Sequence, residues 1–255
     1  MADLKSTMRS VSEANRMLVE LGLADGPTIE RGHVSFRIPD EPDKLLIKGL
    51  GPALSMTHSE DLVVVNMGGF KVAGPGNLNL PNEVKMHSCI MREHPEVNSV
   101  VHVHPRFTVL MSVLQKELGP MCIEGMQMFS EPLPMFPSPR LIVSEEDGVE
   151  VARMIGDRPA ILLQGHGAAT VGADMEDAVM NMLHLEEQAK MNWYAYCAAG
   201  PNHSTITQEQ IAEFGANMRR LGELEHLKPE VAPTPRKPSG VWNHYARLVN
   251  KMEYP

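Results

Sequence analysis

Three histidines of this 255-residue chain are spaced so that they could hold a metal ion. His102 and His104 belong to the segment 99–104, which reads as a short buried strand closed by Pro105. Side chains two residues apart on a strand project from one face, so both imidazoles can point at the same position. A third imidazole from His166 would complete a three-histidine site with an open coordination position, as a catalytic divalent metal requires.

The spacing leaves a second interpretation open, in which His102 and His104 are simply two partly buried histidines. The tripeptide Gly165-His166-Gly167 favours the metal interpretation. Glycines allow the backbone to approach its neighbours closely and would place His166 at the end of a strand.

Glu83 is the candidate acid/base carboxylate. Asn82 is a good N-cap, and the helix that it would begin leads directly into the strand of His102. A carboxylate in the first turn of a helix is stabilised by the helix dipole. On helix geometry alone, the simpler interpretation of Glu83 as a capping residue is favoured.

The elements that must position these side chains follow from the hydrophobic periodicity. The predicted helices are 10–21, possible also from one turn earlier, and 82–94, 107–114, 144–155, 174–197, 207–224 and 241–250. The predicted strands are 33–38, 45–47, 62–65, 70–72, 99–104, 160–163 and 168–171, with short strands within 119–143. Ser10 and Glu13 form a capping box for the first helix. Strands that alternate with helices, some of them joined by hairpins, indicate an α/β fold with a mixed sheet covered by helices.

The composition excludes several classes of partner. The net charge of −9, from 23 Lys+Arg and 32 Asp+Glu, argues against binding to nucleic acid or an anionic membrane surface. No apolar run approaches the roughly 20 residues that span a bilayer. The N-terminus lacks the apolar core of a secretory signal, and the three cysteines have no C-x-x-C spacing, so we expect a cytoplasmic protein without a disulfide framework. At about 150 residues per domain, the length allows one large domain or two small ones.

The ordered set of motifs resembles the class II aldolase/adducin family. The likeness runs from about Leu18 to about Ala189 and rests on Pro81-Asn82-Glu83 with His87, on the His102/His104 strand, and on Gln164-Gly165-His166-Gly167 before a helix that opens at Asp174. The resemblance implies a three-layer α/β/α sandwich on a mixed nine-stranded sheet, often assembled as a four-fold symmetric tetramer with active sites near subunit interfaces. It predicts a catalytic domain over residues 1–227, followed by a proline-rich linker and helical tail over 228–255.

The resemblance also implies roles for the candidate site residues. His102, His104 and His166 would bind one divalent ion per subunit, for which Zn, Mn, Fe and Co are all suitable. Glu83 would be the acid/base carboxylate at the open coordination position of that ion.

The segments that bind phosphate in sugar-phosphate members of the family are altered in this chain. Their Gly-Asn-x-Ser segment is replaced by Gly32-His33-Val34-Ser35, and the Ser-Ser pair before the catalytic Glu is replaced by Pro81-Asn82. Their Thr-Gly or Ser-Gly turn has only the segment 49–52 as its nearest counterpart. A phosphate dianion needs several converging donors, so we do not expect a sugar-phosphate substrate.

Four further residues are candidates for binding the substrate. Arg106 could pair with a substrate carboxylate or form a surface ion pair. His33 and His87 could face the pocket or satisfy buried backbone groups. Tyr245, like its neighbour Trp242, could reach the pocket of an adjacent subunit or pack on its own domain.

The altered segments and the tail that contains Tyr245 are similar to a catabolic branch of the family that decarboxylates hydroxylated aromatic acids, such as 3,4-dihydroxyphthalate or a hydroxypyridine dicarboxylate. The first hypothesis is therefore a metal-dependent lyase that decarboxylates an ortho-hydroxy aromatic acid through an enolate whose charge the metal stabilises. Glu83 would supply the proton that replaces CO2, through a raised pKa. The alternatives are an aldolase or dehydratase for a non-phosphorylated hydroxy-keto acid and a non-catalytic adducin-like binding module. The intact ligand set argues against the binding module.

Overall fold

In the computed structural model, which describes residues 4–226 and 238–251, eight strands form one sheet between two layers of helices. The strands are β1 (His33–Ile38), β2 (Glu41–Lys48), β3 (Leu62–Asn66), β4 (Lys71–Ala73), β5 (Ser99–Val103), β6 (Met135–Phe136), β7 (Ala160–Leu163) and β8 (Gly167–Gly172). The helices are α1 (Leu4–Glu20), α2 (Val84–Glu93), α3 (Arg106–Val113), α4 (Ile123–Met126), α5 (Glu145–Ile155), α6 (Met175–Ala199), α7 (Gln208–Arg220) and α8 (Gly240–Lys251).

The sheet is mixed, as the sequence predicts. Its strand order is β4-β3-β2-β1-β5-β8-β7-β6, and every neighbouring pair is antiparallel except β6 and β7, which are parallel. Within the described ranges it has eight strands, one fewer than the nine that the family resemblance implies. Beyond β2, Leu50 pairs with Asn79 only in an isolated bridge.

Each face of the sheet carries its own hydrophobic core, which confirms the predicted α/β/α sandwich. On one face α1 and α6 pack with Val101 of β5, and on the other α2 and α5 pack with Val100. Successive side chains of a strand point to opposite faces. His102 therefore lies on the α2 side of the sheet together with Val100, and the predicted pairing of His102 and His104 on one face follows from the same alternation.

The first helix begins earlier than predicted. α1 starts at Leu4, so Ser10 and Glu13 lie inside the helix and the predicted capping box is wrong. The reason is that the buried stripe of the helix continues upstream of Ser10, where Thr7 is buried in register with Val11 and Ala14.

Two other predicted helix caps are confirmed, whereas Asn82 is not the N-cap of its helix. The hydroxyl oxygen of Ser144 accepts a hydrogen bond from the backbone N–H of Asp147 at 3.0 Å. Thr207 and Gln210 form the predicted capping box of α7. Local side-chain chemistry at a helix start is readable from sequence because donor and acceptor are only three residues apart.

The C-terminal helix packs against the rest of the chain. α8 confirms the helix predicted over 241–250 and lies on α1, with Trp242 packed against the core that α1 and α6 share. The backbone N–H of Ser239 donates to Glu176 at 2.8 Å. Most of the predicted proline-rich linker lies outside the described residues, and the predicted domain boundary stays a prediction. In the described ranges, no helix has the length and apolar character that crossing a membrane requires.

The two serines that were predicted to cap helices should behave differently when replaced by alanine. We expect Ser144→Ala to lower the free energy of unfolding by about 1 kcal/mol, because it removes a true cap. Ser10→Ala should leave that free energy unchanged or raise it by up to roughly 0.5 kcal/mol, because alanine is the better residue inside a helix. Urea unfolding measures both, and an equal loss in the two variants would contradict the observed start of α1.

Candidate active site

Strand pairing brings the three candidate metal ligands to one edge of the sheet. His102 of β5 is paired with His33 of β1 on one side and with Ala169 of β8 on the other. His104 directly follows β5, and His166 lies in the turn that joins β7 to β8. Because β5 and β8 are antiparallel, the end of β5 and the start of β8 meet at the same edge.

The ligand atoms of these histidines converge with a carboxylate of Glu83. One ligand atom from each of Glu83, His102, His104 and His166 lies within 4.8 Å of the other three. The Nε2 atoms of His102 and His104 are 3.2 Å apart. Two nitrogens bound tetrahedrally to one ion at about 2.05 Å would be about 3.3 Å apart, so the observed spacing is compatible with two ligands of one ion.

His166 gives an independent indication that the cluster suits a cation. In the part of the chain that the structure describes, its two ring nitrogens are the buried side-chain atoms without a hydrogen-bond partner. Its Nε2 lies 3.4 Å from Oε2 of Glu83, a close contact without the direction of a hydrogen bond. Buried unpaired nitrogens are costly, and coordination to a cation would satisfy one of them. Three imidazoles and a carboxylate fit a divalent first-row metal.

A backbone carbonyl selects the tautomer of His102 that a metal would need. Nδ1 of His102 lies 2.9 Å from the carbonyl oxygen of Ala168, which can only accept, so Nδ1 carries the proton. Nε2 then presents its lone pair to the cluster.

The side chain of Glu83 joins the cluster and makes no capping hydrogen bond to its own helix. α2 begins at Val84, two residues later than predicted from Asn82, and the Glu83 side chain makes no capping hydrogen bond. Its Oε1 accepts the backbone N–H of Ile142 at 3.0 Å, and its Oε2 lies 3.1 Å from Nε2 of His102. Glu83 thus occupies the N-cap position of α2, but its side chain serves the cluster and not the helix.

The neighbouring imidazoles hold Glu83 ionised. Burial by itself raises the pKa of Glu83, but the imidazoles of His102 and His166 beside it lower it by more, so the pKa lies well below its usual value. Burial lowers the pKa of His102, but the carboxylate of Glu83 raises it above its ordinary value. Burial and the adjacent imidazoles lower the pKa of His104 to about 3. The expected raised pKa of Glu83 is thus wrong, because that carboxylate lies against two imidazoles.

Glycines beside the cluster allow the close approach that the sequence predicts. A Cβ atom on Gly167 would lie 2.4 Å from the carbonyl oxygen of Val103 and 2.8 Å from Cδ2 of His104. A Cβ on Gly32, whose φ is +102°, would lie 2.3 Å from the carbonyl oxygen of His102. Both positions need glycine for the histidines to lie where they do.

His33 and His87 form a second pair of histidines next to the cluster. Nδ1 of His33 lies 3.3 Å from Nε2 of His87, and Nδ1 of His87 lies 2.7 Å from Oγ of Ser35. Burial is the main reason that the pKa of each ring is lowered, to about 3 for His87, so both are neutral. Their hydrogen-bond partners within the described residues are side chains, so neither ring satisfies a buried backbone group. Their contact with a substrate stays a prediction.

Arg106 and Tyr245 lie elsewhere in this chain. The Arg106 side chain is 71% exposed, and its Nη2 lies 3.0 Å from the carboxylate of Asp25, as a surface ion pair would. Tyr245 lies half-buried on α8 with its ring against His244. Within the described residues, no hydrogen bond, ion pair or ring contact joins either of them to the cluster. Their predicted roles toward a substrate remain untested.

Sequence patterns missed a buried glutamate that caps the helix after His104. Glu186 of α6 accepts hydrogen bonds from the N–H groups of Phe107 and Thr108 and from the Thr108 hydroxyl, at 2.8 to 2.9 Å. It thereby caps the first turn of α3, which begins two residues after His104. Burial raises the pKa of Glu186, and these hydrogen bonds oppose that effect. Because the partners are 78 residues apart, no local pattern could have revealed this cap.

We expect Gly167→Ala to reduce the affinity for a divalent metal roughly tenfold or more, because the new methyl group would displace His104 and β5. Titration of the purified protein with Zn²⁺ or Mn²⁺ in a calorimeter measures this affinity. Gly76→Ala is the matched control, since a Cβ there meets no atom within 4 Å. Unchanged affinity in Gly167→Ala would contradict the geometry of the cluster.

Comparison with known proteins places the chain in a family. Residues 9–193 match the family described as "Class II Aldolase and Adducin N-terminal domain". These residues contain all four members of the cluster. The match thus agrees with the resemblance drawn from the motifs.

Similar proteins of known description include decarboxylases. The chain is 32% identical over 212 residues to a 3,4-dihydroxyphthalate decarboxylase of Terrabacter sp. (strain DBF63), a match that covers 79% of this chain and 86% of that protein. It is 29% identical over 237 residues to a 3,4-dihydroxyphthalate decarboxylase of Rhodococcus jostii (strain RHA1), covering 88% of this chain and 95% of that protein. A solved L-fuculose 1-phosphate aldolase from Glaciozyma antarctica PI12 superposes with a TM-score of 0.76 at 20% identity, covering 98% of this chain and 92% of that one. At that identity the superposition shows the shared fold alone.

Proposed function

Because this chain belongs to the class II aldolase and adducin family, we propose that it is a metal-dependent lyase that decarboxylates an ortho-hydroxy aromatic carboxylic acid such as 3,4-dihydroxyphthalate. The observation that carries the proposal is the buried convergence of three imidazoles with the carboxylate of Glu83. The names of the decarboxylase relatives support the choice of substrate class.

The three histidines supply the electrostatic part of the proposed reaction. His102, His104 and His166 would hold one divalent ion, which would stabilise the negative charge that develops on the ortho oxygen of the substrate. The hydrogen bond from Nδ1 of His102 to the Ala168 carbonyl keeps Nε2 oriented toward the cluster.

Glu83 acts as a proton shuttle in this proposal. Its ionised carboxylate first takes the proton of the ortho hydroxyl and then gives that proton to the ring carbon that bears the carboxylate. The bond between this carbon and the carboxylate breaks, CO2 leaves, and the bonding electron pair restores the aromatic ring and leaves a negative charge on the ortho oxygen. A proton from water then neutralises that oxygen. The N–H of Ile142 holds Oε1 of Glu83 and so orients the carboxylate.

The ionised state of Glu83 also suits a second candidate reaction. Aldol cleavage of a non-phosphorylated hydroxy-keto acid begins with removal of a hydroxyl proton, which an ionised carboxylate can accept. This reaction would release an aldehyde and a keto acid instead of CO2. An adducin-like binding module would have no use for the buried set of metal ligands. We further propose a homo-oligomer, and specifically a tetramer, as the family resemblance implies.

The proposal predicts release of CO2 from 3,4-dihydroxyphthalate by the metal-loaded protein. In D2O, one deuteron should appear at the ring carbon that carried the lost carboxylate, because Glu83 exchanges its proton with solvent and delivers it there. Mass spectrometry of the headspace and proton NMR of the product measure both results. Absence of CO2, together with aldehyde from a 4-hydroxy-2-oxo acid, would replace this function with the aldolase alternative.

We expect Glu83→Gln to lower kcat by about 10²- to 10⁴-fold, the usual contribution of a general acid/base. The bound metal should be retained because the three imidazoles remain, and elemental analysis checks this. Glu117→Gln is the control, since Glu117 is an exposed loop residue. A kcat for Glu83→Gln within about threefold of wild type would remove Glu83 from the mechanism.

A further inference from the structure

The chain of hydrogen bonds behind the cluster points to a second contact with the substrate, an inference that rests on the proposed function. We propose that His33 donates a hydrogen bond from Nε2 to the carboxylate that an aromatic diacid retains, and that His87 and Ser35 are positioning residues that hold His33 in this donor form.

Ser35 sets the donor-to-acceptor order of these hydrogen bonds. Its hydroxyl has one proton and two acceptors within reach, Nδ1 of His87 at 2.7 Å and the carbonyl oxygen of Val100 at 3.4 Å. The shorter distance is typical of an O–H donor, whereas the longer one is near the limit of a hydrogen bond. Ser35 therefore donates to Nδ1 of His87.

The same donor-to-acceptor order continues through the rings of His87 and His33. A neutral imidazole that accepts at one nitrogen carries its proton on the other. His87 accepts at Nδ1 and so donates from Nε2, which lies 3.3 Å from Nδ1 of His33. His33 accepts at Nδ1 in turn, and its own proton is on Nε2.

Nε2 of His33 is accessible to solvent, and the His33 ring lies next to the cluster. In the described ranges, the buried side-chain nitrogens and oxygens without a hydrogen-bond partner belong to His166 alone. Nε2 of His33 forms no hydrogen bond with a described group and is not among these atoms, so it must reach solvent-accessible space. The His33 ring lies 6.0 Å from the ring of His102, centroid to centroid, on the paired residue of the adjacent strand. A ligand that occupies the cluster would therefore lie near the His33 ring.

The chemistry of this donor selects an anionic acceptor. The hydrogen bonds of Ser35, His87 and His33 all point the same way, so each polarises the next and the positive end lies at Nε2–H of His33. An ortho-hydroxy diacid bound through its reacting carboxylate and hydroxyl would present its second carboxylate as that acceptor.

Ligand binding tests the inference without turnover. We expect the Zn²⁺-loaded protein to bind phthalate more tightly than benzoate in a calorimeter. His33→Phe should weaken phthalate binding roughly 10- to 100-fold, the loss of one hydrogen bond to a charged group, and leave benzoate binding unchanged. His33→Gln, which keeps an N–H donor, should recover part of the loss, and exposed His58→Phe is the control. Equal losses for both ligands, or no preference in the wild type, would overturn the inference.

The tautomer provides a second readout. We expect nitrogen-15 NMR of labelled histidines to show the proton of His33 on Nε2 in the wild type, and a mixture of tautomers with weaker phthalate binding in Ser35→Ala. A proton on Nδ1 of His33 in the wild type would overturn the inference. These measurements are separable from the proposed function, because phthalate binding that depends on His33 without CO2 release would remove the decarboxylation and retain the contact.

Discussion

The antiparallel register between β5 and β8 places His102 opposite Ala169, and the whole cluster depends on that pairing. It brings the end of β5, with His104, against the turn that carries His166. It also sets the Ala168 carbonyl where it accepts the proton of His102 Nδ1. A slip of one residue in β5 would turn His102 toward the α1–α6 core and remove it from Glu83. Gly167 permits the close approach that this register requires.

The cluster concentrates buried polar groups that need one another. Glu83 is only 5% exposed, and its burial would be costly without His102, His166 and the N–H of Ile142. The same contacts hold the carboxylate ionised, and this decides the order of proton transfer in the proposed reaction, from the substrate first and back to it afterwards. The unpaired nitrogens of His166 leave the cluster short of one partner, which a cation would supply.

The fold alone does not choose the reaction. A sugar-phosphate aldolase shares the architecture at 20% identity, and decarboxylases are similar at about 30%, so the residues of the site and not the architecture determine the chemistry. The neutral histidines His33 and His87 and the hydroxyl of Ser35 lie next to the cluster, and the segments that bind phosphate in sugar-phosphate members are altered in this chain. Neutral donors joined in one direction suit a carboxylate with a fixed position better than a phosphate dianion, which needs several converging donors.

Local patterns in the sequence determined the elements and the composition of the site. The strand over 33–38, the caps at Ser144 and Thr207, and the shared face of His102 and His104 all depend on residues within a few positions of one another. The start of α1 was misplaced because a capping pattern also occurs inside a helix, where burial upstream decides the outcome.

Only the tertiary structure decided what the site residues do. Glu83 binds Ile142 and two imidazoles instead of its own helix, Glu186 caps α3, and Arg106 pairs with Asp25. The low pKa of Glu83 and the tautomers of the buried rings also depend on tertiary contacts. These properties arise from desolvation, charge and hydrogen bonds between groups that are far apart in the chain, and such distances exist only once the sheet has formed.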